Sequence, residues 1–330
     1  MNINDINIFI LLSSILIIDE IVQEYVRQYK IADFIPVLQN DNFVEIHGIT
    51  GSSISFFLAA MFDSSPFSIL FIAENIDEAN IIYHDIKSIQ NQEVIIFNDS
   101  FKKLSRGIEF SKKSINLRLQ SIFKITQNNS KNIVITYPEA LAERIVGIDL
   151  MKKKKIEIYA NRKYKLQELI EICESLGLSR NNFVYEPGQY SIRGSIIDIF
   201  SFGFPLPYRI EMNDNEIESI RQFDIETQTS INTVSFIHIT PNSSNLNADA
   251  DKAVAETTEL FKENFVIFYK NKEEIFDKYV QIEKLWHDYK KSLTESAANT
   301  EFNDILQYDL FTSSFDNLIQ LFQLPKVKIN

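Results

Sequence analysis

Short apolar runs separated by helix-like segments dominate the first part of the chain. The runs have the length of buried strands and lie at Phe43–Ile46, Ser68–Ala73, Val94–Phe97 and Ile133–Thr136. Helices are predicted over Phe56–Phe62 and from Asn75, whose side chain is typical of a helix N-cap, towards Ser88. Strands that alternate with helices in this way predict an α/β layer with a parallel sheet.

The pattern changes near Met151, after which strands follow one another more directly. A strand and an amphipathic helix are predicted first, and three strand-like stretches follow them. These segments are Ile156–Tyr159, Leu166–Leu176, Gln189–Phe200, Tyr208–Met212 and Glu216–Asp224. Ile192, Ile196 and Ile199 fall on mixed faces of one stretch, which predicts a β-bulge near Gly194. The region therefore reads as a small α+β unit with an antiparallel sheet.

The α/β pattern resumes after a polar linker at Thr240–Ala250. A helix is predicted over Asp251–Asn264, a strand over Phe265–Tyr269 and a second helix over Lys272–Ser292. We therefore predict one parallel-sheet domain, made of residues 1–150 and 242–330, with the small domain inserted at 151–241. No closing motif precedes Asn330, so we expect the chain to be part of a longer protein.

Composition narrows the classes of function. The formal net charge of −12 gives no general attraction to nucleic acid, although Lys152–Lys155 form a local basic run. A single cysteine, Cys173, and four histidines without metal-ligand spacing predict neither disulfides nor a metal site, and favour the cytoplasm. The apolar run Ile8–Ile18 is too short to span a membrane and predicts a buried helix.

The turn after the first strand has the position of a phosphate-binding loop without its chemistry. A Walker A loop reads G-x-x-x-x-G-K-[ST], because amides cradle the phosphates and the lysine neutralises them. Gly48 and Ser55 occupy the first and last positions, and Gly51 lies between them, but Ser53 replaces the second glycine and Ile54 the lysine. We therefore expect a degenerate, helicase-like loop that binds no ATP; an ordinary strand-to-helix turn is the alternative.

The most specific motifs lie in the small domain and form one long run. They are Pro187–Phe200, Pro207–Glu211, Asp214–Asp224 and Thr227–Gln228, with Val44–Ser53, Phe101–Arg106 and Tyr137–Leu141 before them. Over residues 40–240 the chain resembles the amino-terminal UvrB-homology module of bacterial transcription-repair coupling factors (Mfd), particularly those of Bacteroidetes, and the related excision-repair protein UvrB. The resemblance implies a helicase-type domain that has lost its ATPase and a second domain that binds UvrA.

The family resemblance also implies docking residues. Arg180 and Arg193 match family arginines that contact UvrA, whereas a third family arginine is replaced here by Ser191. Tyr190 and Phe200 are candidate apolar anchors, with core packing as the alternative for Phe200. Arg209 and Arg221 would extend a basic strip, unless Glu211 and Glu218 pair with them.

Three functions follow from these observations. The first is a non-catalytic adaptor that docks UvrA and so recruits nucleotide excision repair to RNA polymerase stalled at DNA damage. In the full-length protein, later domains would bind RNA polymerase and translocate on double-stranded DNA. The alternatives are an ATP-dependent UvrB-type helicase or clamp, against which Ile54 argues, and a DNA-binding module based on the scattered lysines. We assign no catalytic residue.

Overall fold

The computed structural model describes nine stretches of the chain. They are residues 18–40, 43–89, 93–104, 107–127, 131–146, 156–240, 254–261, 264–295 and 315–329. The predicted linker at 241–250 and residues 8–17 of the predicted buried helix lie outside them.

A six-stranded parallel sheet forms the larger domain. Its strands are β1 (Phe43–Ile46), β2 (Ser68–Ile72), β3 (Val94–Ile96), β6 (Ile133–Thr136), β17 (Phe265–Tyr269) and β18 (Lys326–Ile329), in the order β1-β18-β17-β2-β6-β3. Four of these strands precede the small domain and two follow it. The small domain is therefore an insertion, and the predicted fold class is confirmed.

Helices cover this sheet, and its strands are apolar because they are buried beneath these helices. They are α1 (residues 18–28), α2 (Ile31–Asn40), α3 (Ser53–Ser64), α4 (Ile76–Ile89), α5 (Lys112–Gln127), α6 (Pro138–Ala142), α8 (Lys272–Glu295) and α9 (Phe315–Leu321). All five residues of β2 are buried, as expected for a central strand covered on both faces. At the start of α4, Asn75 Oδ1 accepts a hydrogen bond from the Glu78 amide at 2.9 Å, which confirms the predicted N-cap.

The inserted domain contains a second, antiparallel sheet. Its strands are β9 (Ser179–Arg180), β10 (Gln189–Arg193), β11 (Ile196–Phe200), β12 (Tyr208–Asn213), β13 (Glu216–Phe223) and β14 (Ser230–Val234), in the order β14-β13-β12-β11-β10-β9. Only β9 runs parallel to its neighbour. Helix α7 (Leu166–Ser175) packs on one face, and β8 (Ile156–Tyr159) pairs with β15 (Phe236–Ile239) beside it.

The two faces of this sheet differ in chemistry. Side chains of alternate residues point to opposite faces. Tyr190, Ile197 and Ile210 join Leu169 and Cys173 of α7 in an apolar core. The intervening residues place arginines and carboxylates on the other face, around a small cluster of Val184, Phe200 and Phe223.

Three local predictions were wrong or incomplete. Gln189–Phe200 is a hairpin, with Gly194 at φ +63° in its turn, so chain reversal explains the mixed faces of the isoleucines. Residues 254–261 form β16 (Val254–Ala255), which pairs with β7 (Ile145–Val146), and a 3-10 helix, Thr257–Phe261, rather than an α-helix. The basic segment after β3 contains an unpredicted hairpin of β4 (Phe101–Leu104) and β5 (Gly107–Phe110).

The small domain contacts helix α5 of the large domain through the loop after β11. The Asn116 side chain accepts a hydrogen bond from the Gly203 amide at 2.8 Å. Gln120 donates to the Phe204 carbonyl at 3.1 Å, and the Phe204 and Phe123 rings stack with centroids 5.9 Å apart. The loop is thus tied to α5 by polar and aromatic contacts together.

Gly203 is expected to be essential to this contact. It has φ +77°, and a Cβ atom there would overlap the Phe123 ring. We expect Gly203→Ala to lower the free energy of unfolding by about 2–4 kcal/mol, combining backbone strain with overpacking. Urea unfolding measures the change. Gly194→Ala is the matched control, because φ is +63° but the space around it is open, and it should cost only about 1–2 kcal/mol. Equal losses would contradict the steric explanation.

Candidate docking site

A shallow groove of about 590 Å³ lies at the β9 edge of the antiparallel sheet. It is lined by Arg180, Asn181, Asn182, Phe183, Ile192 and Arg193. Arg180 ends β9, and the ladder between β9 and β10 includes only two residue pairs, the second of them Tyr190 with Arg180. The fold therefore brings the two arginines that the family pattern selects to one groove, although thirteen positions separate them in sequence.

Two exposed aromatic side chains accompany these arginines. Phe183 is 43% exposed and Tyr185 is 61% exposed, and their ring centroids are 6.2 Å apart. The Arg193 guanidinium lies 4.9 Å from the centroid of the Phe183 ring, within cation–π range. Arginine and aromatic side chains dominate interface hot spots. The sequence interpretation missed both aromatics; the signal was a Phe and a Tyr in the polar loop between two strands.

A buried carboxylate lies behind Arg193. Asp198 has 1% of its side chain exposed, and one Arg193 Nη contacts its Oδ2. Arg209 binds the same carboxylate with two donors, Nε to Oδ1 at 2.8 Å and Nη2 to Oδ2 at 3.0 Å. Arg209 also packs over the Phe223 ring at 4.3 Å. Only 15% of its side chain is exposed, so little of Arg209 is available to a partner.

Arg209 and Arg221, the basic strip considered from the sequence, pair with acidic residues of the same domain. Arg221 faces Arg209 across the strands and forms an ion pair with Glu211. Arg209 is bound to Asp198 instead of to a glutamate. The predicted alternative of local pairing therefore describes both arginines, with Glu211 as one partner and Asp198, which sequence reasoning missed, as the other.

Three other candidate contact residues are buried. Tyr190 is fully buried in the core against α7, and its hydroxyl donates to Glu174 at 3.0 Å. Phe200 is 4% exposed and packs with Val184 and Phe223. Ser191 is fully buried, and its hydroxyl has no hydrogen-bond partner among the described residues. In this conformation none of the three presents a surface to a partner.

The degenerate loop between β1 and α3 is closed by its own hydrogen bonds. Ser53 Oγ accepts a hydrogen bond from the Thr50 amide at 3.0 Å and donates to the Thr50 carbonyl. The amides of Ser53 and Ile54 bond to the carbonyls of Thr50 and Gly51 at 3.3 and 3.1 Å. The amides of Thr50, Ser53 and Ile54, which lie where a working loop would cradle phosphate, are thus already engaged.

The side chains that follow are also committed elsewhere. Ile54, at the lysine position, is 3% exposed and belongs to the core. Ser55, at the Mg²⁺-binding position, is fully buried, and its hydroxyl donates to Asp85 of α4 at 3.2 Å. Tyr25 of α1 stacks on Phe56 with ring centroids 5.5 Å apart. Gly48 and Gly51 keep positive φ values of 86° and 58°.

Another polar cluster lies at the carboxyl ends of β3 and β6, where α/β proteins often bind ligands. Arg118 of α5 is 4% exposed and donates to the carbonyls of Asn98 and Ala140 at 2.7 and 3.1 Å. Its Nε lies 3.4 Å from Glu143. The cluster is filled by protein groups that bind one another, which makes it a structural centre rather than an open site.

The described residues carry neither a metal site nor a membrane-spanning helix. No group of histidine, cysteine and acidic side chains among them has the arrangement of a metal site. Within the same residues, no helix is both long and apolar enough to cross a membrane.

Comparison with known proteins finds a match for the inserted domain. Residues 156–244 match the family described as the UvrB interaction domain. The chain is 26% identical over 194 residues to the transcription-repair-coupling factor of Bacillus subtilis (strain 168), a match that covers 59% of this chain and 16% of that protein. The factor of Rickettsia prowazekii (strain Madrid E) is 30% identical over 153 residues, with 46% and 13% covered. The factor of Escherichia coli K12 is 22% identical over 193 residues, with 58% and 17% covered.

Fold and sequence together define a class, an α/β scaffold with an inserted domain that is similar to the UvrB interaction domain. Within that class the chain is similar to the transcription-repair-coupling factors, which confirms the resemblance expected from its motifs. The matches span less than a fifth of the length of these curated relatives.

Asp99, beside the Arg118 cluster, should make stability depend on pH. Tyr137 donates to its carboxylate at 2.8 Å, and burial raises the pKa of Asp99 from 3.8 to about 7. Between these values the native protein holds a proton that the unfolded chain has released. The contribution of Asp99 to the free energy of unfolding therefore decreases as pH rises from about 4 to 7. Urea unfolding should show Asp99→Asn gaining stability relative to wild type across that window.

Asp224 is the control for this prediction, because its pKa is shifted in the opposite direction. Hydrogen bonds from Thr227 lower the pKa of Asp224, so its contribution to stability is lost as pH falls through the acid range. Asp224→Asn should therefore differ from wild type mainly above pH 4, by a constant amount. A stability difference between wild type and Asp99→Asn that does not change with pH would contradict the assignment.

Proposed function

We propose that this chain is a non-catalytic docking module for UvrA, which recruits nucleotide excision repair to RNA polymerase stalled at DNA damage. One observation carries the proposal: Arg180 and Arg193 line one accessible groove inside the domain that matches the UvrB interaction family. The names of the similar proteins supply the context of transcription-coupled repair.

The chemistry of the groove supports a protein partner with acidic groups. The chain carries a formal net charge of −12, yet this groove is lined by two arginines and no acidic residue. An arginine offers five N–H donors in a planar fork that matches a carboxylate. Phe183 and Tyr185 add apolar area beside the guanidinium groups. A partner that presents carboxylates next to an apolar side chain would complement both features.

The large domain serves as scaffold in this proposal. An internally bonded loop, a buried Ile54 and a Ser55 bound to Asp85 together argue against ATP binding. Contacts with α5 fix the small domain on this scaffold. In the longer protein, we propose, other domains bind RNA polymerase and translocate on double-stranded DNA in the cytoplasm.

Removal of Arg193 tests the docking proposal directly. Truncation of a hot-spot arginine costs about 2 kcal/mol or more, so Arg193→Ala should weaken binding to purified UvrA about thirtyfold. Isothermal titration calorimetry measures the affinity. Arg221→Ala is the matched control, since Arg221 lies on the same sheet face with 31% of its side chain exposed and is paired with Glu211. Equal affinities of wild type and Arg193→Ala, or no binding by wild type, would reject this site.

ATP binding provides a separate test of the scaffold. We expect fluorescent ATP analogues with Mg²⁺ to show no saturable binding, and Ile54→Lys alone to restore none, because the loop amides and Ser55 remain engaged. Binding by wild type that competes with unlabelled ATP would favour the UvrB-type helicase or clamp instead.

A further inference from the structure

Asp198 occupies an unusual place behind the docking groove. It lies in β11, on the sheet face opposite α7, with 1% of its side chain exposed. Two guanidinium groups, of Arg193 and Arg209, contact this one carboxylate. A buried carboxylate needs compensation, but two cations exceed what one charge requires.

Arg209 by itself satisfies the carboxylate. It contacts both oxygens, at 2.8 and 3.0 Å, and is held in turn by the Gln228 side chain at 3.1 Å and by the Phe223 ring. Bidentate pairing of this kind is the strongest arrangement of an arginine with a carboxylate. Arg193 is therefore a second cation, bound to a charge that already has a partner.

Arg193 retains most of its donors for another ligand. Its only hydrogen bond among the described residues uses one Nη, which leaves the other N–H groups of the fork. The side chain is 37% exposed and lines the groove, with its guanidinium over Phe183. Asp198 and Phe183 therefore restrict the movement of the Arg193 guanidinium, while most of its N–H donors stay available.

We propose that Asp198 is a positioning residue of the docking groove: it holds the Arg193 guanidinium against Phe183, ready for a carboxylate of the partner. This inference rests on the proposed docking function and adds the chemistry of recognition. The group of Asp198, Arg193 and Arg209 carries one excess positive charge, which an acidic segment of the partner neutralises. Fixing a flexible arginine before binding lowers the entropy lost on association.

The test is a double-mutant cycle with purified UvrA. Asp198→Asn should weaken binding about tenfold, and in the Arg193→Ala background it should cause no further loss, because it acts through Arg193. A merely structural role would lower affinity in both backgrounds. Glu211→Gln is the matched control, since Glu211 pairs with Arg221 on the same sheet face away from the groove. It should leave affinity within about twofold of wild type, the usual scale for an exposed pair.

A second measurement on the unmutated chain keeps the inference testable if Asp198→Asn does not fold. Side-chain nitrogen NMR should show hindered rotation of the Arg193 guanidinium before UvrA is added. Free rotation, wild-type affinity of Asp198→Asn, or additive losses would each overturn the positioning role while leaving docking intact. If wild type fails to bind UvrA, or Arg193→Ala binds equally well, the docking function itself fails and this inference falls with it.

Discussion

Burial of one negative charge organises the face of the small domain that bears the groove. Asp198 is inaccessible to water, so its charge has to be balanced by groups that the sheet brings to it. The register pairs Asp198 with Ser191 on one side and with Arg209 on the other, and Arg193 reaches it along the hairpin. The arginine at the groove, the aromatic ring beneath it and the partly buried Arg209 therefore form one connected unit.

The large domain supports the small domain through its sheet and through α5. Its sheet closes only when strands from both sides of the insertion pair, because β17 and β18 lie between β1 and β2. Strands of the same sheet therefore precede and follow the inserted domain in the chain. The loop at Gly203 attaches the domain to α5 as well. A docking surface gains affinity when its orientation is fixed before binding, which is the role that we propose for the large domain.

The loop after β1 is held by contacts within the protein. Positive φ values at Gly48 and Gly51 keep the tight turn. Ser53 supplies a hydroxyl that bonds the loop to itself, and Ile54 contributes to the core instead of facing solvent. At these positions, groups that differ from those of a Walker A loop make contacts that stabilise the fold. Asp85 of α4 accepts a hydrogen bond from the Ser55 hydroxyl, so the loop is also bonded to the neighbouring helix.

The sequence by itself determined the parallel-sheet domain and the inserted antiparallel domain, because periodicity and short motifs carry that information locally. The two arginines that line the groove were selected only by the family resemblance. Only the tertiary structure decided that Tyr190 and Phe200 are buried, that Phe183 and Tyr185 are exposed, and that Arg209 binds Asp198. Those outcomes depend on strand register and on the hairpin at Gly194, which set the face each side chain occupies. No local pattern encodes which distant strand a residue will face, so the partner of each charge follows from the assembled sheet.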